Sequence, residues 1–489
     1  MDPILEALAA KAAAQPPALP LKLLIVADCL GKETSGDPVP IGPGGCAELL
    51  ASLRPMLNLS VANKMEKNGA RLPVALEIPR LEDFHPDNVL ARVPALAQGA
   101  GSASPGLADQ MDEILHAPQF QRLEACWRGL ERACRDLRDC RAVSIELLPA
   151  SRKELKERFH KRVFEPEYEG KGEVPLAAVY FDFQFSHEPA DLALLEALAE
   201  DCEILQTPMI AAASPAFFQL KNLIHLTSLP DIAARLQQPA YAAWRRFQTS
   251  PRSRWVCLTA NRFLARERYG LRREQGAALD YSEQADAAHP ERYLWAEAGW
   301  LVLSNLGRSF SRFNHCVIID GMAPETAHRD LPVRPFPKKA NVEVPSPTEI
   351  LIDDDKAWEI VRGGVTMLVG ISDGAVATFP LLANVYRLRP GTITTESALS
   401  YQLFAGHLSH FLMTIYGDIP KEHGAEAIAR FLRDRLNAFL IPFSGPEETV
   451  GVELSEAAGD PPQRAVKLSL RPSLKMQGKD IDFTLQIAL

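Results

Sequence analysis

The chain has 489 residues, of which 47% are hydrophobic and 24% are charged, and its formal net charge is −9. This is the composition of an ordinary globular protein, and the length predicts roughly three domains. An acidic chain without a long run of Lys or Arg argues against nonspecific nucleic-acid binding, which requires clustered positive charge.

The start of the chain and its cysteines indicate the compartment. Asp2 stands where a secretory signal would carry basic residues, and no apolar run reaches the 18 residues of a membrane span. The eight cysteines are scattered without a Cys-x-x-Cys pair, which favours reduced thiols over a zinc or redox site. We therefore expect a cytoplasmic protein that does not insert into membranes.

The first hundred residues predict an N-terminal arm followed by a small α/β module. Residues 1–19 have a short Ala/Leu helix pattern, which suggests a tail or a docking arm. Residues 21–27, LKLLIVA, form a continuous apolar run, as expected for a strand buried on both faces. A helix at 47–57, a strand at 72–78 and a helix at 86–97 follow. We assign the module to residues 20–98.

Residues 99–106, GAGSASPG, have the composition of a flexible linker. They mark the clearest predicted domain boundary, so that the second region comprises residues 107–489.

The second region begins with a strongly amphipathic helix over residues 114–137. Leu123, Trp127 and Leu130 recur at spacings of four and three, which places them on one buried stripe. We predict these three residues as a structural core.

Strand and helix patterns then alternate. Strands are predicted at 143–148, 175–185 and 208–213, and helices at 151–164 and 191–204; residues 332–347 are predicted to cross in an extended form, 366–369 and 375–379 to form a hairpin, and 398–416 and 425–440 to be helices. This alternation predicts an α/β fold with mixed sheets and helices on their faces.

The chain closes on two predicted strands, at 465–470 and 481–489. In the last strand the apolar residues alternate strictly with other types: Ile481, Phe483, Leu485, Ile487 and Leu489. Such a strand either completes the sheet of its own domain or adds to the sheet edge of another chain. We carry both possibilities and take these five residues as candidate inter-subunit contacts.

Two patterns suggest chemistry, and neither is convincing. Gly370-Ile371-Ser372-Asp373-Gly374 matches G-x-S-x-G, but a strand pattern ending at Pro380 follows it, whereas a nucleophile elbow requires a helix. His407 and His410 lie three apart on a helix without a third ligand at metal-binding spacing. We expect no enzyme activity, no cofactor and no metal.

Several phrases in the second region resemble the large contractile-sheath subunit of bacterial type VI secretion systems. They include Leu123-Glu124, Trp127-Arg128-Gly129-Leu130, Pro208-Met209-Ile210-Ala211-Ala212-Ala213-Ser214-Pro215, Trp244-Arg245-Arg246-Phe247, Trp255-Val256-Cys257-Leu258-Thr259 and Thr348-Glu349-Ile350-Leu351-Ile352. The first module resembles the small subunit of the same sheath through Leu59-Ser60-Val61-Ala62-Asn63, Leu81-Glu82-Asp83-Phe84-His85-Pro86 and Val93-Pro94-Ala95-Leu96.

This resemblance implies a structural protein whose copies intertwine into a tube, surround an inner tube and contract to propel it. The implied partners are other sheath subunits, the inner-tube protein, baseplate components and a disassembly ATPase. The chain departs from the family where residues 98–106 replace the arm of the large subunit that carries a stitching strand and the ATPase-binding helix. A non-polymerising homologue acting as a baseplate, cap or regulatory component is the alternative, and a serine hydrolase using Ser372 is a third.

Overall fold

The computed structural model describes residues 3–32, 35–42, 44–66, 69–99, 106–271, 279, 281–337, 343–371, 375–443, 449–457, 463–473, 475–476 and 479–489. The helices are α1 (Pro3–Ala13), α2 (Gly45–Leu53), α3 (Pro86–Arg92), α4 (Pro94–Gly99), α5 (Leu107–Leu115), α6 (Pro118–Leu137), α7 (Leu155–Phe159), α8 (Glu165–Tyr168), α9 (Pro189–Ile204), α10 (Ile232–Leu236), α11 (Ala242–Gln248), α12 (Gly299–Phe313), α13 (Asp354–Arg362), α14 (Leu399–Ile415) and α15 (Ala425–Phe439).

The strands are β1 (Leu21–Ala27), β2 (Val39–Pro40), β3 (Met56–Ala62), β4 (Arg71–Glu77), β5 (Val143–Pro149), β6 (Leu176–Phe185), β7 (Met209–Ala213), β8 (Val256–Ala260), β9 (Phe263–Leu264), β10 (Trp295–Ala296), β11 (Arg334–Pro337), β12 (Glu343–Ser346), β13 (Val365–Met367), β14 (Val369–Ile371), β15 (Val376–Thr378), β16 (Val450–Ala457), β17 (Gln463–Leu470), β18 (Lys475–Met476), β19 (Lys479–Asp480) and β20 (Phe483–Ala488).

A seven-stranded sheet organises the molecule, in the order β13-β8-β7-β6-β1-β5-β2. Its strands are parallel except β2, which runs antiparallel to β5. Leu23 and Ile25 of β1 face a core shared with α6 and α12, whereas Leu24 and Val26 face a second core with α7, α9, α11 and α13. The predicted α/β fold with helices on both faces of a mixed sheet is therefore confirmed.

β1 joins the two predicted regions in one sheet. It lies between β5 and β6, with Leu21 opposite Val143 and Leu24 opposite Val179. All of its residues except Lys22 are buried. Since a strand in the middle of a parallel sheet must be covered on both faces, residues 21–27 depend on the second region for their burial. Most of the predicted linker, residues 100–105, lies outside the described residues.

Helix α6 contacts both the chain just beyond β1 and helix α12. Trp127 is fully buried, and its indole N–H donates to the carbonyl oxygen of Cys29 just beyond β1, at 2.9 Å. A Cβ atom at Gly129 would lie 2.4 Å from Nε1 of Trp300 on α12, so only glycine lets the two helices approach this closely. Leu123 and Leu130 are buried in the same core.

Five predicted elements were wrong in detail. The helix expected over 86–97 is divided into α3 and α4, and the strand expected at 366–369 is divided between β13, in the central sheet, and β14, in the hairpin. The helix expected over 47–57 ends at Leu53, because residues 56–62 form β3 and pair with β4. The helix expected over 151–164 is divided, with a π-helical turn at His160–Phe164 between α7 and α8. The extended crossing expected at 332–347 contains the hairpin of β11 and β12, in which prolines are tolerated because both strands are edges.

The C-terminal part forms its own core. α14 and α15 pack against a three-stranded sheet of order β16-β17-β20. Helix α1 docks onto this core and buries Leu8 and Ala12. Its docking explains why a short Ala/Leu helix is retained at this end of the chain: its apolar side chains have a partner surface.

Candidate assembly site

The sheet β16-β17-β20 has two open edges within the described part of the chain. β17 is central and pairs antiparallel with both neighbours, with Val450 opposite Leu470 on one side and Leu470 opposite Phe483 on the other. Edge strands present unpaired backbone groups, which can pair with another chain.

The register shows which backbone groups of β20 are unpaired. The N–H of Arg471 donates to the carbonyl oxygen of Thr449 at 2.8 Å, one step beyond the pair Val450–Leu470. Because hydrogen-bonded and non-hydrogen-bonded pairs alternate in an antiparallel ladder, odd-numbered residues of β17 bond to β16 and even-numbered ones bond to β20. β20 therefore uses Phe483, Leu485 and Ile487 for its own ladder.

The remaining backbone groups of β20 point to the open side. These are the N–H and carbonyl groups of Thr484, Gln486 and Ala488. The carbonyl oxygen of Ala488 accepts a hydrogen bond from the Tyr416 hydroxyl at 3.0 Å. Tyr416 therefore satisfies one carbonyl group at the end of β20, whereas the outward backbone groups of Thr484 and Gln486 remain available to another strand.

The five predicted contact residues become progressively more exposed along the strand. Ile481 and Phe483 are buried, whereas Leu485, Ile487 and Leu489 are half-buried against the same core. Phe483 stacks on Tyr401 and Phe404 of α14, with ring centroids 5.0 and 5.2 Å apart. The first half of the strand therefore belongs to the chain's own core, and the second half leaves apolar surface available.

The opposite edge has the same character, and sequence reasoning missed it. Val452 and Leu454 of β16 are half-buried, while Leu468 and Val466 beside them on β17 are fully buried. The alternation of residues 450, 452 and 454 is a period-two signal that could have identified β16.

The other candidate residues lie elsewhere. Leu123, Trp127 and Leu130 belong to the core of the central sheet and do not contact the terminal strands. Ile371 pairs with Val376 in the hairpin β14–β15, so a strand follows the G-x-S-x-G pattern; Ser372, Asp373 and Gly374 lie outside the described residues.

The two predicted histidines act as hydrogen-bond partners of backbone. Nε2 of His407 lies 3.2 Å from the carbonyl oxygen of Leu19, and Nε2 of His410 lies 2.7 Å from that of Leu205. Burial lowers the pKa of both imidazoles. Within the described residues no group of three or more potential metal ligands is found.

Helix α1 is attached to this core by polar contacts as well. Arg312 donates to the Glu6 carboxylate at 2.6 Å, and Asn314 donates to the carbonyl oxygen of Ala12 at 3.1 Å. Nε2 of His315, whose pKa burial lowers to about 4, lies 2.9 Å from the Phe439 carbonyl oxygen. These contacts join the N-terminal arm, α12 and α15 beside the terminal sheet.

Comparison with known proteins identifies the class of this fold. Residues 104–381, more than half of the chain, match the family model described as "EvpB/VC_A0108, tail sheath N-terminal domain". Residues 8–122 match the model described as "Type VI secretion system, VipA, VC_A0107 or Hcp2". The chain is 27% identical over 411 residues to the "Type VI secretion system sheath protein TssC1" of Pseudomonas aeruginosa, covering 78% of this chain and 82% of the relative.

The chain belongs to the tail-sheath family of type VI secretion systems and is a structural sheath subunit. The resemblance predicted from sequence motifs is confirmed for both the large and the small subunit. None of the described helices is both long and apolar enough to cross a membrane.

Proposed function

We propose that this chain assembles into a contractile sheath by donating and accepting strands at the open edges of β16-β17-β20. The observation that carries the proposal is that both edge strands have half-buried apolar side chains, whereas the apolar side chains of the central strand β17 are buried. The half-buried side chains are Val452 and Leu454 on β16 and Leu485 and Ile487 on β20. A strand added at one of these edges would pair with its free backbone groups and also cover its half-buried apolar side chains.

In this proposal one polypeptide serves as both sheath subunits. Residues 20–98 correspond to the small subunit, 99–106 to a linker and 107–489 to the large subunit. The sharing of one central sheet supports this arrangement, because both strands that pair with β1 in the described structure belong to the second region. Work is done by a change in packing between subunits, so the proposed role requires no catalytic group.

The sheath would enclose an inner-tube protein in the cytoplasm and rest on baseplate components. If an ATPase disassembles it, α1 is the helix available near the N-terminal end of the described chain, and Arg312 and Asn314 would have to release it first. A pull-down with the cognate ATPase, comparing the full chain with one lacking residues 1–15, tests this assignment.

Two proline variants test strand exchange. Gln486→Pro removes an N–H that points to the open edge, whereas Leu485→Pro removes one that the strand uses for its own ladder. We expect Gln486→Pro to abolish tubes in electron micrographs while changing the melting temperature little. We expect Leu485→Pro to lower the melting temperature because it breaks the chain's own sheet.

The outcome separates the proposal from its alternative. Normal tubes formed by Gln486→Pro would reject strand addition at β20. If the wild-type protein forms discrete particles and no tubes, the chain is a non-polymerising homologue at a sheath end, acting as a baseplate, cap or regulatory component.

A further inference from the structure

A large cavity lies at the carboxyl ends of β1 and β6, far from the terminal sheet in the fold. It encloses about 830 Å³, and Asp28, which follows β1, and Asp182 near the end of β6 both line it. After β1 the chain returns to the sheet on one side, at β2 and later at β5, whereas after β6 it continues to β7 on the other side. Adjacent parallel strands with diverging connections leave a crevice where α/β proteins commonly bind ligands.

Two carboxylates in this cavity, Asp182 and Glu297, form no ion pair at salt-bridge distance within the described residues. Asp182 accepts a hydrogen bond from the Tyr180 hydroxyl at 2.6 Å, and Glu297 accepts one from Nε2 of Gln184 at 2.6 Å. Neither carboxylate takes part in an ion pair within those residues. Asp182 is half-buried and held by neutral donors, whereas Glu297 also lies near Arg262, whose charge it shares with Glu349. The negative charge of the two carboxylates is therefore only partly compensated.

The basic residues of the cavity have partners of their own. Arg262 binds Glu349 through two hydrogen bonds of 2.8 and 2.9 Å. Arg152 is paired with Asp191. Arg122 lies exposed at the mouth, near the equally exposed Asp28. In the described part of the chain, the inner part of the cavity therefore holds a single cation, Arg262, beside the carboxylates Glu349, Glu297 and Asp182, so that negative charge is in excess there.

We propose that this cavity binds a guanidinium or ammonium cation, with Asp182 and Glu297 as its counter-charges. The cation belongs either to a free small molecule or to a basic side chain of a protein segment. This site is independent of strand exchange at the terminal sheet.

Protonation of the two carboxylates competes with the cation. Burial raises the pKa of Asp182 to about 6 and that of Glu297 to about 7. Around them lie the following titratable or charged groups: Tyr180, Cys126, Arg122, Asp28, Arg152, Asp191, Arg262, Glu349, Glu291 and Tyr293. Because the cation binds the ionised forms, its binding releases protons, and affinity rises as the pH increases from 5.5 to 8.

Isothermal titration calorimetry of the full chain tests the site with four probes. Methylguanidinium and agmatine represent free cations, acetyl-Gly-Arg-Gly-amide represents a peptide-borne one, and the same peptide with citrulline in place of arginine is the neutral match. We expect the cations to bind at least about tenfold more tightly at pH 8 than at pH 5.5, with proton release. Equal binding of the arginine and citrulline peptides would overturn the proposal.

Isosteric variants locate the binding. Asp182→Asn and Glu297→Gln should each weaken cation binding about tenfold or more, the effect expected for losing a charged hydrogen-bond partner. Glu426→Gln, exposed in the first turn of α15, removes the same charge elsewhere and should leave binding unchanged. Both cavity variants should melt no lower than wild type, since each removes a carboxylate whose charged form is disfavoured by burial.

The two possible sources of the cation, a free small molecule and a protein segment, are distinguished by which probes bind. Binding of methylguanidinium and agmatine as tightly as the peptide assigns a free cation, whereas binding of the arginine peptide alone assigns a protein segment. Unchanged affinity in both cavity variants, with their folds intact, would refute the assignment of these carboxylates.

Discussion

The guanidinium of Arg387 is a buried charge whose hydrogen-bond partners in the described structure are all neutral. Arg387 is 1% exposed, and its guanidinium donates only to backbone carbonyls, among them those of Val361, Arg362 and Asn384. Burial lowers its pKa to about 10. The group thus satisfies the last carbonyls of α13, where a positive charge also complements the helix dipole.

We predict that Arg387→Met lowers the free energy of unfolding by about 2–4 kcal/mol, because several buried carbonyls lose their donor. Urea denaturation measures this loss. Arg389→Met, two residues away and exposed, is the matched control and should change stability by no more than about 0.5 kcal/mol. Equal stability of the two variants would show that the buried guanidinium contributes nothing.

At the residue scale the sequence predicts burial well and charge pairing poorly. Trp127 and Phe483 follow from periodicity, which reports which face of an element is apolar. Asp182 and Glu297 do not, since residues more than 100 positions apart meet only through the sheet topology. The unusual Asp182 within an otherwise apolar strand, LAAVYFDFQF, was the signal available for this cavity.

Among the elements, the attachment of the N-terminal arm should depend on pH. Nε2 of His407 reaches the carbonyl oxygen of Leu19, and the ring lies beside His315 with centroids 5.4 Å apart. Burial lowers both pKa values, that of His315 to about 4, against about 6.5 in an unfolded chain. Below pH 6.5 the unfolded state binds more protons, so stability falls as the pH decreases from 6.5 to 4.

We predict that His407→Gln reduces the loss of stability at low pH, because the amide group can still donate to the carbonyl oxygen of Leu19 but does not titrate. Urea denaturation at pH 7.5, 6, 5 and 4 measures the slope in both proteins. At pH 7.5 the two should differ little. A wild-type slope that persists unchanged in the variant would show that His407 is not among the responsible groups.

Elements with a strong period were predicted correctly, and elements defined by their partners were not. β1, α6, α14 and α15 lie close to their predicted bounds, since β1 is a continuous apolar run and the three helices carry many apolar residues at helical spacing. β3 was assigned partly to a helix, and β11–β12 to an extended crossing, because hairpin pairing rather than local pattern determines them. The π-helical turn at His160–Phe164 has no sequence signature that would place it.

At the scale of the whole molecule, the sequence composition predicts a boundary between two regions that share one sheet in the structure. The linker composition of residues 99–106 predicts a boundary, whereas the small-subunit model matches residues 8–122, through the linker, and overlaps the large-subunit match to residues 104–381. No local pattern shows that β1 occupies the middle of the second region's sheet, since the order of parallel strands depends on long-range packing.

Cleavage of the linker tests whether this shared sheet makes one cooperative body. A protease site inserted within residues 99–106 would cut the chain without touching β1, whose ladders with β5 and β6 and whose two buried faces remain intact. We predict that the two pieces elute together in size-exclusion chromatography at both low and high salt, because apolar burial rather than surface charge holds them. They should also unfold in a single transition. Separation of the pieces without denaturant would instead mean that the first hundred residues are an independent domain, and strand exchange between subunits would then have to be sought at β1 as well as at β20.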